Sequence, residues 1–266
     1  MMSEHVLTTT HGAVRVLTLH KPHKLNAIDV DMLTAIAEEL SASDAEAAVA
    51  VTVITGTGRS FSTGFDMSAG GVTSAGAPQE RLRGNLNSLL SIWRARKPVV
   101  AAVDGYALGV GCILANLCDI VLASERAVFG EPEIRYFNPA SITILPWIVG
   151  PRRAKDILFF GRNLDAKAAL DLGIVNQILP TEGFFESALA AVQPLAHIHP
   201  AALAAVKRSI NRGTEIGGFL KALEAGVEEI APLYGPESPT AMLYRREIAR
   251  IGIKSHVRNR DALFGS

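Results

Sequence analysis

Three short segments carry residue types that chemistry can use. Ser62-Thr63-Gly64-Phe65-Asp66 is a turn of small residues following a strand-like run, and Gly105 through Gly111 is a second one, between a buried-strand pattern and an apolar helical stretch. Glycine lets the backbone approach another group closely, and the first turn of a helix leaves N–H groups without intrahelical acceptors. Two such turns brought together would aim main-chain donors at one point, which makes an anion site. The third segment, Phe129-Gly130-Glu131-Pro132-Glu133-Ile134, sets two carboxyls on an extended stretch bounded by glycine and proline. A carboxyl held at a site can give or take a proton. Taken singly, each segment also reads as a plain turn or a solvated loop acid, and Asp66 reads more readily as a cap beside its turn than as an acid.

Other chemistries fit the residues less well. Gly109-Val110-Gly111 has Leu114 where a dinucleotide fingerprint needs its third glycine, and Gly56-Thr57-Gly58-Arg59-Ser60 lacks the lysine of a phosphate loop. Cys112 and Cys118 stand in an apolar run without a CxxC and read as buried thiols; His197 and His199 read as a loop or helix end and not as a metal site. Lys+Arg and Asp+Glu number 26 each. A zero net charge gives neither nucleic acid nor an anionic membrane the attraction it would need. The local basic run Arg245, Arg246, Arg250, Lys254, Arg258 and Arg260 reads as a solvated helix face or a phosphate-contacting one. Met1 to Thr10 lacks a signal-peptide pattern, and no apolar run approaches the ~18 residues of a membrane span, so a cytoplasmic location is expected.

The elements that must position these segments can be read from periodicity and punctuation. With 266 residues, 48% of them hydrophobic, the chain can bury one large core. Strands are expected at Val14 to Leu19, Val49 to Thr55, Val99 to Val103, Asp119 to Ala123 and Val175 to Leu179. Helices are expected from Asp29, as N-cap, to Leu40, through Leu82, Leu86, Leu89, Leu90 and Trp93, and from Cys112 to Leu117. Gly70 through Pro78 reads as a mobile loop. Beyond Pro151 the helical patterns are Pro151 to Phe160, Ala166 to Leu172, Thr181 to Ala196, Pro200 to Arg212 and Glu215 to Ile230. Alternating strands and helices predict an α/β core, with a soft boundary near residue 200 where strand signals stop.

In order and spacing, a series of blocks resembles the crotonase superfamily, also called enoyl-CoA hydratase/isomerase. They are His20-Lys21-Pro22 with Leu25-Asn26-Ala27, Ile54-Thr55-Gly56, Phe61 to Asp66, Lys97 to Cys112, Cys118-Asp119-Ile120, Phe129 to Ile134, Gly150 with its following helix, and Ala169 to Asn176. The resemblance implies a crotonase-type (β-β-α)n superhelix over residues 1–200, binding and processing an acyl-CoA. It implies a C-terminal helical trimerisation region over 201–266, with homotrimers or dimers of trimers. Neither metal nor redox cofactor is implied; coenzyme A enters as part of the substrate.

By position, the resemblance gives the Phe65 and Val110 N–H groups as the oxyanion hole for a thioester carbonyl and Glu133 as the acid/base. Lys24, Leu25 and Ala27, with Gly64 and Asp66, fall where the family contacts the nucleotide and pantetheine, and Gly109, Ile113 and Tyr136 fall along the acyl site. Two departures stand out. Ile113 occupies the place of the second glutamate of the hydratases and cannot transfer a proton, leaving hydratase and isomerase readings both open. Arg135 to Thr143 replaces a glycine-rich stretch, with Tyr136 or Asn138 as a substitute polar group or simple wall; the bulk at 65 and 110 narrows the acyl pocket. A thioester or β-diketone hydrolase, or a non-catalytic CoA- or RNA-binding member, are the alternatives.

Overall fold

The computed structural model describes residues 4–66 and 78–264. The segment expected as a mobile loop lies outside them up to residue 77. Val6–His11 (β1) and Val14–Leu19 (β2) form an antiparallel hairpin, with Val6 opposite Leu19. Asp29 caps the next helix, Val30–Ala45 (α1), accepting the Met32 N–H at 2.9 Å. It runs past the expected end at Leu40 because its buried face continues to Ser43.

Three strand pairs follow: Val51–Gly56 (β3) with Ser60–Ser62 (β4), Val99–Val103 (β5) with Tyr106–Leu108 (β6), and Ile120–Ser124 (β7) with Val128–Gly130 (β8). Pro78–Arg94 (α2) follows the first pair and Val110–Leu117 (α3) the second. In every pair the first strand joins a large sheet and the second a small one, so the chain climbs by a β-β-α step. After β8 come a 3-10 turn, Pro132–Tyr136, and the helices Leu145–Val149 (α4) and Pro151–Phe160 (α5). Asn163–Asp165 (β9) then pairs antiparallel with β8, Ala166–Asp171 (α6) follows, and Gln177–Leu179 (β10) pairs parallel with β7. The large sheet is ordered β1-β2-β3-β5-β7-β10 and the small one β4-β6-β8-β9.

Strand alternation supplies two cores. Val14, Val16, Val51, Val53, Val100 and Ala102 turn to one face of the large sheet, where Phe184–Val192 (α7) covers them with Phe184, Ala188 and Val192. Leu17, Leu19, Ile54, Ala101 and Val103 turn to the other and meet α1, α2 and α3. This is why β5 reads as an unbroken apolar run and β3 is buried from Val51 to Thr55. Pro200–Ile216 (α8), Phe219–Ile230 (α9), Pro239–Ile251 (α10) and Ile253–Ala262 (α11) complete the chain. Phe219, Leu223 and Val227 of α9 belong to the same core as the sheet. Buried Lys207 of α8 donates to Asp119 at 2.7 Å and to the carbonyls of Ile92 and Lys97. Among the described residues no single helix is long and apolar enough to cross a membrane.

Candidate active site

The two glycine turns expected to meet do meet. Gly64 follows β4 at φ +100° and Gly109 follows β6 at φ +54°. Parallel pairing of β4 with β6 lays one beside the other: a Cβ on Gly64 would stand 3.2 Å from Leu108 O and 3.7 Å from Val110 N. Neither position has room or backbone geometry for a side chain. The chain around Phe65 is fixed by a bridge to Ile28, with the Ile28 N–H donating to Gly64 O and the Asp66 N–H to Ile28 O, both at 2.8 Å. Val110 opens α3. Among the described residues the Phe65 and Val110 N–H groups have no protein acceptor.

Glu133 faces these turns. The segment expected to be extended is so through Gly130, the end of β8; from Pro132 it is a 3-10 turn, since Pro132 pre-sets φ at its first position and the Asn138 N–H closes on Glu133 O at 3.0 Å. A Cβ on Gly109 would collide with Glu133 Oε1, so the carboxyl lies against the start of α3. Its Oε2 is buried with no hydrogen-bond partner, and burial raises its pKa from 4.5 to about 7. Glu131, only 1% exposed, has both carboxyl oxygens without a partner. Burial first, and the Glu133 charge second, hold it well above the carboxylate range. The expectation of a solvated loop acid is overturned for Glu131, which is buried within electrostatic reach of Cys112 of α3.

A cavity of about 560 Å³ opens here, lined by Gly64, Phe65, Asp66, Gly109, Val110, Glu133 and Tyr136 with residues of α1, α2 and the Asn138–Ser141 segment. That size suits a small-molecule group. Asp66 lines it as an ion-paired structural acid, bound by Lys24 at 2.8 Å and Lys21 at 3.6 Å. Asp29 is held by Lys21. Glu133 is left as a wall carboxyl with no cation bonded to it. A carboxyl titrating near neutrality beside two unclaimed N–H donors can move a proton next to a carbonyl whose oxygen the donors stabilise.

Some expected site residues fall elsewhere. Ile113 is 1% exposed and packs in the core, because α3 is buried on every face, so it is no wall of this cavity. Lys24, Leu25 and Ala27 also lie off the cavity lining, in a loop locked by Asn26, whose Nδ2 donates to Thr57 O (2.9 Å) and Ser60 O (2.7 Å). Tyr136 does line it, but its hydroxyl donates to Asp261 Oδ1 of α11 at 2.7 Å and is spoken for. Arg260 of the expected basic face turns inward, donating to Arg135 O at 2.6 Å and covering the Phe137 ring. His199 caps α8 through Nδ1, as a helix-end residue would. Residues that sequence reasoning did not reach are Arg81 and Asn85 of α2, Tyr234 and Val257, all cavity-lining, whereas Ser141 falls within the Arg135 to Thr143 stretch expected as wall. Only the helical spacing of Arg81 and Asn85 hinted at a shared face.

The fold is that of a solved enoyl-CoA hydratase/isomerase from Xanthobacter autotrophicus Py2, which superposes with a TM-score of 0.91 at 33% identity over 97% of this chain and 98% of that one. The family model described as enoyl-CoA hydratase/isomerase matches residues 9–228. The 2,3-dehydroadipyl-CoA hydratase of Escherichia coli is 33% identical over 242 residues, 88% of this chain and 89% of the relative. The short-chain-enoyl-CoA hydratase of Clostridium acetobutylicum is 31% identical, covering 81% and 84%. The chain belongs to the enoyl-CoA hydratase/isomerase family, within the crotonase superfamily, and is an enzyme acting on CoA thioesters.

Proposed function

We propose that the thioester carbonyl oxygen of an enoyl-CoA sits on the Phe65 and Val110 N–H groups and that Glu133 is the single acid/base. Supporting this above all is a carboxyl with a pKa of about 7 on the wall of a cavity into which two N–H groups open without an acceptor. The Glu133 carboxylate takes a proton from the α carbon of a 3-enoyl thioester, the electron pair moves to the carbonyl oxygen, and the two amides hold the resulting dienolate. Glu133 then delivers that proton to the γ carbon, giving the conjugated 2-enoyl thioester. Each amide is worth about 2.7–4 kcal/mol to such an oxyanion. No metal or redox cofactor is required by this chemistry. Lys24, Leu25 and Ala27, beside Asp66, are assigned to the CoA side of the same site.

Isomerisation needs one proton carrier, and Ile113 offers no second. Hydration is the second reading, favoured by the names of the relatives, and requires Glu133 both to activate water and to protonate the α carbon. Spectrophotometry with unsaturated acyl-CoAs separates the two: the conjugated enoyl band grows from a 3-enoyl substrate in isomerisation and disappears with uptake of water in hydration, whereas free thiol would mark a hydrolase. Glu133→Gln is expected to lower kcat by at least about 10²-fold. Unchanged turnover rejects the assignment. We place the enzyme in the cytoplasm, where two buried free thiols stay reduced. The trailing helices are assigned to trimer formation, since α8 presents Val206, Ile210 and Ile216 to solvent; a monomer in analytical ultracentrifugation would overturn that.

A further inference from the structure

The cavity carries polar groups for which proton transfer has no use. Arg81 and Asn85 sit one turn apart on α2, Asn138 and Ser141 follow the Glu133 turn, and Tyr234 lies beyond α9; all five line the space. The Tyr234 hydroxyl donates to Pro139 O at 2.7 Å, which ties it to the 138–141 segment. Burial above all suppresses its ionisation, with the Glu133 charge acting in the same sense and the Arg81 charge against, so the phenol lies within electrostatic reach of both.

Asn85 is 9% exposed and Ser141 7%, yet the side chains of Asn85, Asn138 and Ser141 make no hydrogen bond within the described residues. None of their polar atoms is sealed off, and all three residues line the cavity. Polar groups left this way inside a cavity are satisfied by what fills it. Arg81 is the one cation among the described lining residues. It is also engaged by the protein, but a guanidinium has five N–H donors and serves both sides. Of the lining acids, Asp29 and Asp66 are held by lysines and Asp31 is exposed to solvent, which leaves Glu133, the acid/base, as the acid that shares the cavity with Arg81.

We infer that this enzyme takes acyl groups ending in a carboxylate, which Arg81 receives with Asn85, Asn138 and Ser141 while the thioester lies at Phe65 and Val110. The inference rests on the placement of the thioester proposed above. A methyl-ended chain of equal length would bury the same polar groups unpaired, and sites of that kind discriminate strongly.

The test compares two enoyl-CoAs of equal chain length, one ending in a carboxylate and one in a methyl group, by kcat/KM. It adds calorimetric affinities of the two corresponding saturated acyl-CoAs, which need no turnover. A preference of about 10²-fold for the carboxylate is expected in both measurements. Arg81→Met should collapse the ratio and Arg81→Lys should keep part of it; Asn85→Leu, checked for folding by circular dichroism, should narrow it. Equal or better use of the methyl-ended substrate overturns the inference, as does an Arg81→Met variant with an unchanged ratio. Equal preference for a hydroxyl-ended chain overturns the anionic choice. Were neither enoyl substrate turned over, the proton chemistry would fall, while the two saturated ligands would still decide what the acyl end binds.

Discussion

Glu133 and Glu131 are two residues apart and differ in what their surroundings permit. At its folded pKa of about 7, Glu133 is a carboxylate only above neutrality. Proton abstraction needs that form, so kcat/KM for a 3-enoyl-CoA should rise with pH and level off above about 7 in a pH–rate profile. A midpoint near the ordinary glutamate value would detach Glu133 from the chemistry. Glu131 is sealed and unpartnered, and its folded pKa is raised. The folded state therefore holds this proton more tightly than the unfolded one, and stability is lost as pH climbs from the unfolded pKa of about 4.3 towards the folded value. Glu131→Gln removes the ionisation while keeping the shape. Its melting temperature should exceed the parent's by a margin that widens between pH 5 and pH 8; a constant margin would contradict the burial argument. The sequence marked both residues as acids, but only Glu133 was assigned a role.

Among elements, the 3-10 turn that carries Glu133 is held from the far end of the chain. Asp261 of α11 accepts from Tyr136 at 2.7 Å and from Arg135 at 3.3 Å, Arg260 bonds back to Arg135 O, and Val257 of the same helix forms part of the cavity wall. The turn ends at Phe137 with φ +67°, a left-handed conformation costly for an aromatic residue and sustained here by packing against Arg260 and His256. Asp261→Ala frees α11, admits water beside Glu133 and relaxes the desolvation that raises its pKa. The acidic limb of the pH–rate profile should move to lower pH, with kcat falling; a limb that stays in place would show that α11 does not keep the carboxyl dry. Pro132 made the start of this turn legible. Its clamp was not, because the partners are 125 or 126 residues apart and share no periodicity.

For the whole molecule, the trailing helices are fastened to the sheet by both charge and apolar packing. Lys207 reaches Asp119 and two carbonyls, while α9 inserts Phe219, Leu223 and Val227 into the main core. Lys207→Met would leave the Asp119 carboxylate largely buried without its cation, a defect worth roughly 3 kcal/mol or more. Denaturant melts should show a loss of that order with one cooperative transition. Separate melting of the trailing helices would show a weaker union. Strand signals stop near residue 200, yet side chains beyond that point complete the core that begins at β1.

Pattern and punctuation determined the alternation of strands and helices, the Asp29 cap and the β5 and α5 boundaries, because these follow from local propensity and from which face of an element is apolar; the β-β-α climb came from the family resemblance of the ordered blocks. Tertiary structure alone decided that two glycine turns present unclaimed amides to one cavity, that Ile113 leaves its wall, that Tyr136 is committed to Asp261, and that Arg81 and Asn85 point into the space. Periodicity states that a face is buried. It does not state against what, and the protonation, pairing and freedom of a polar group depend on neighbours that only the folded chain brings within a few ångströms.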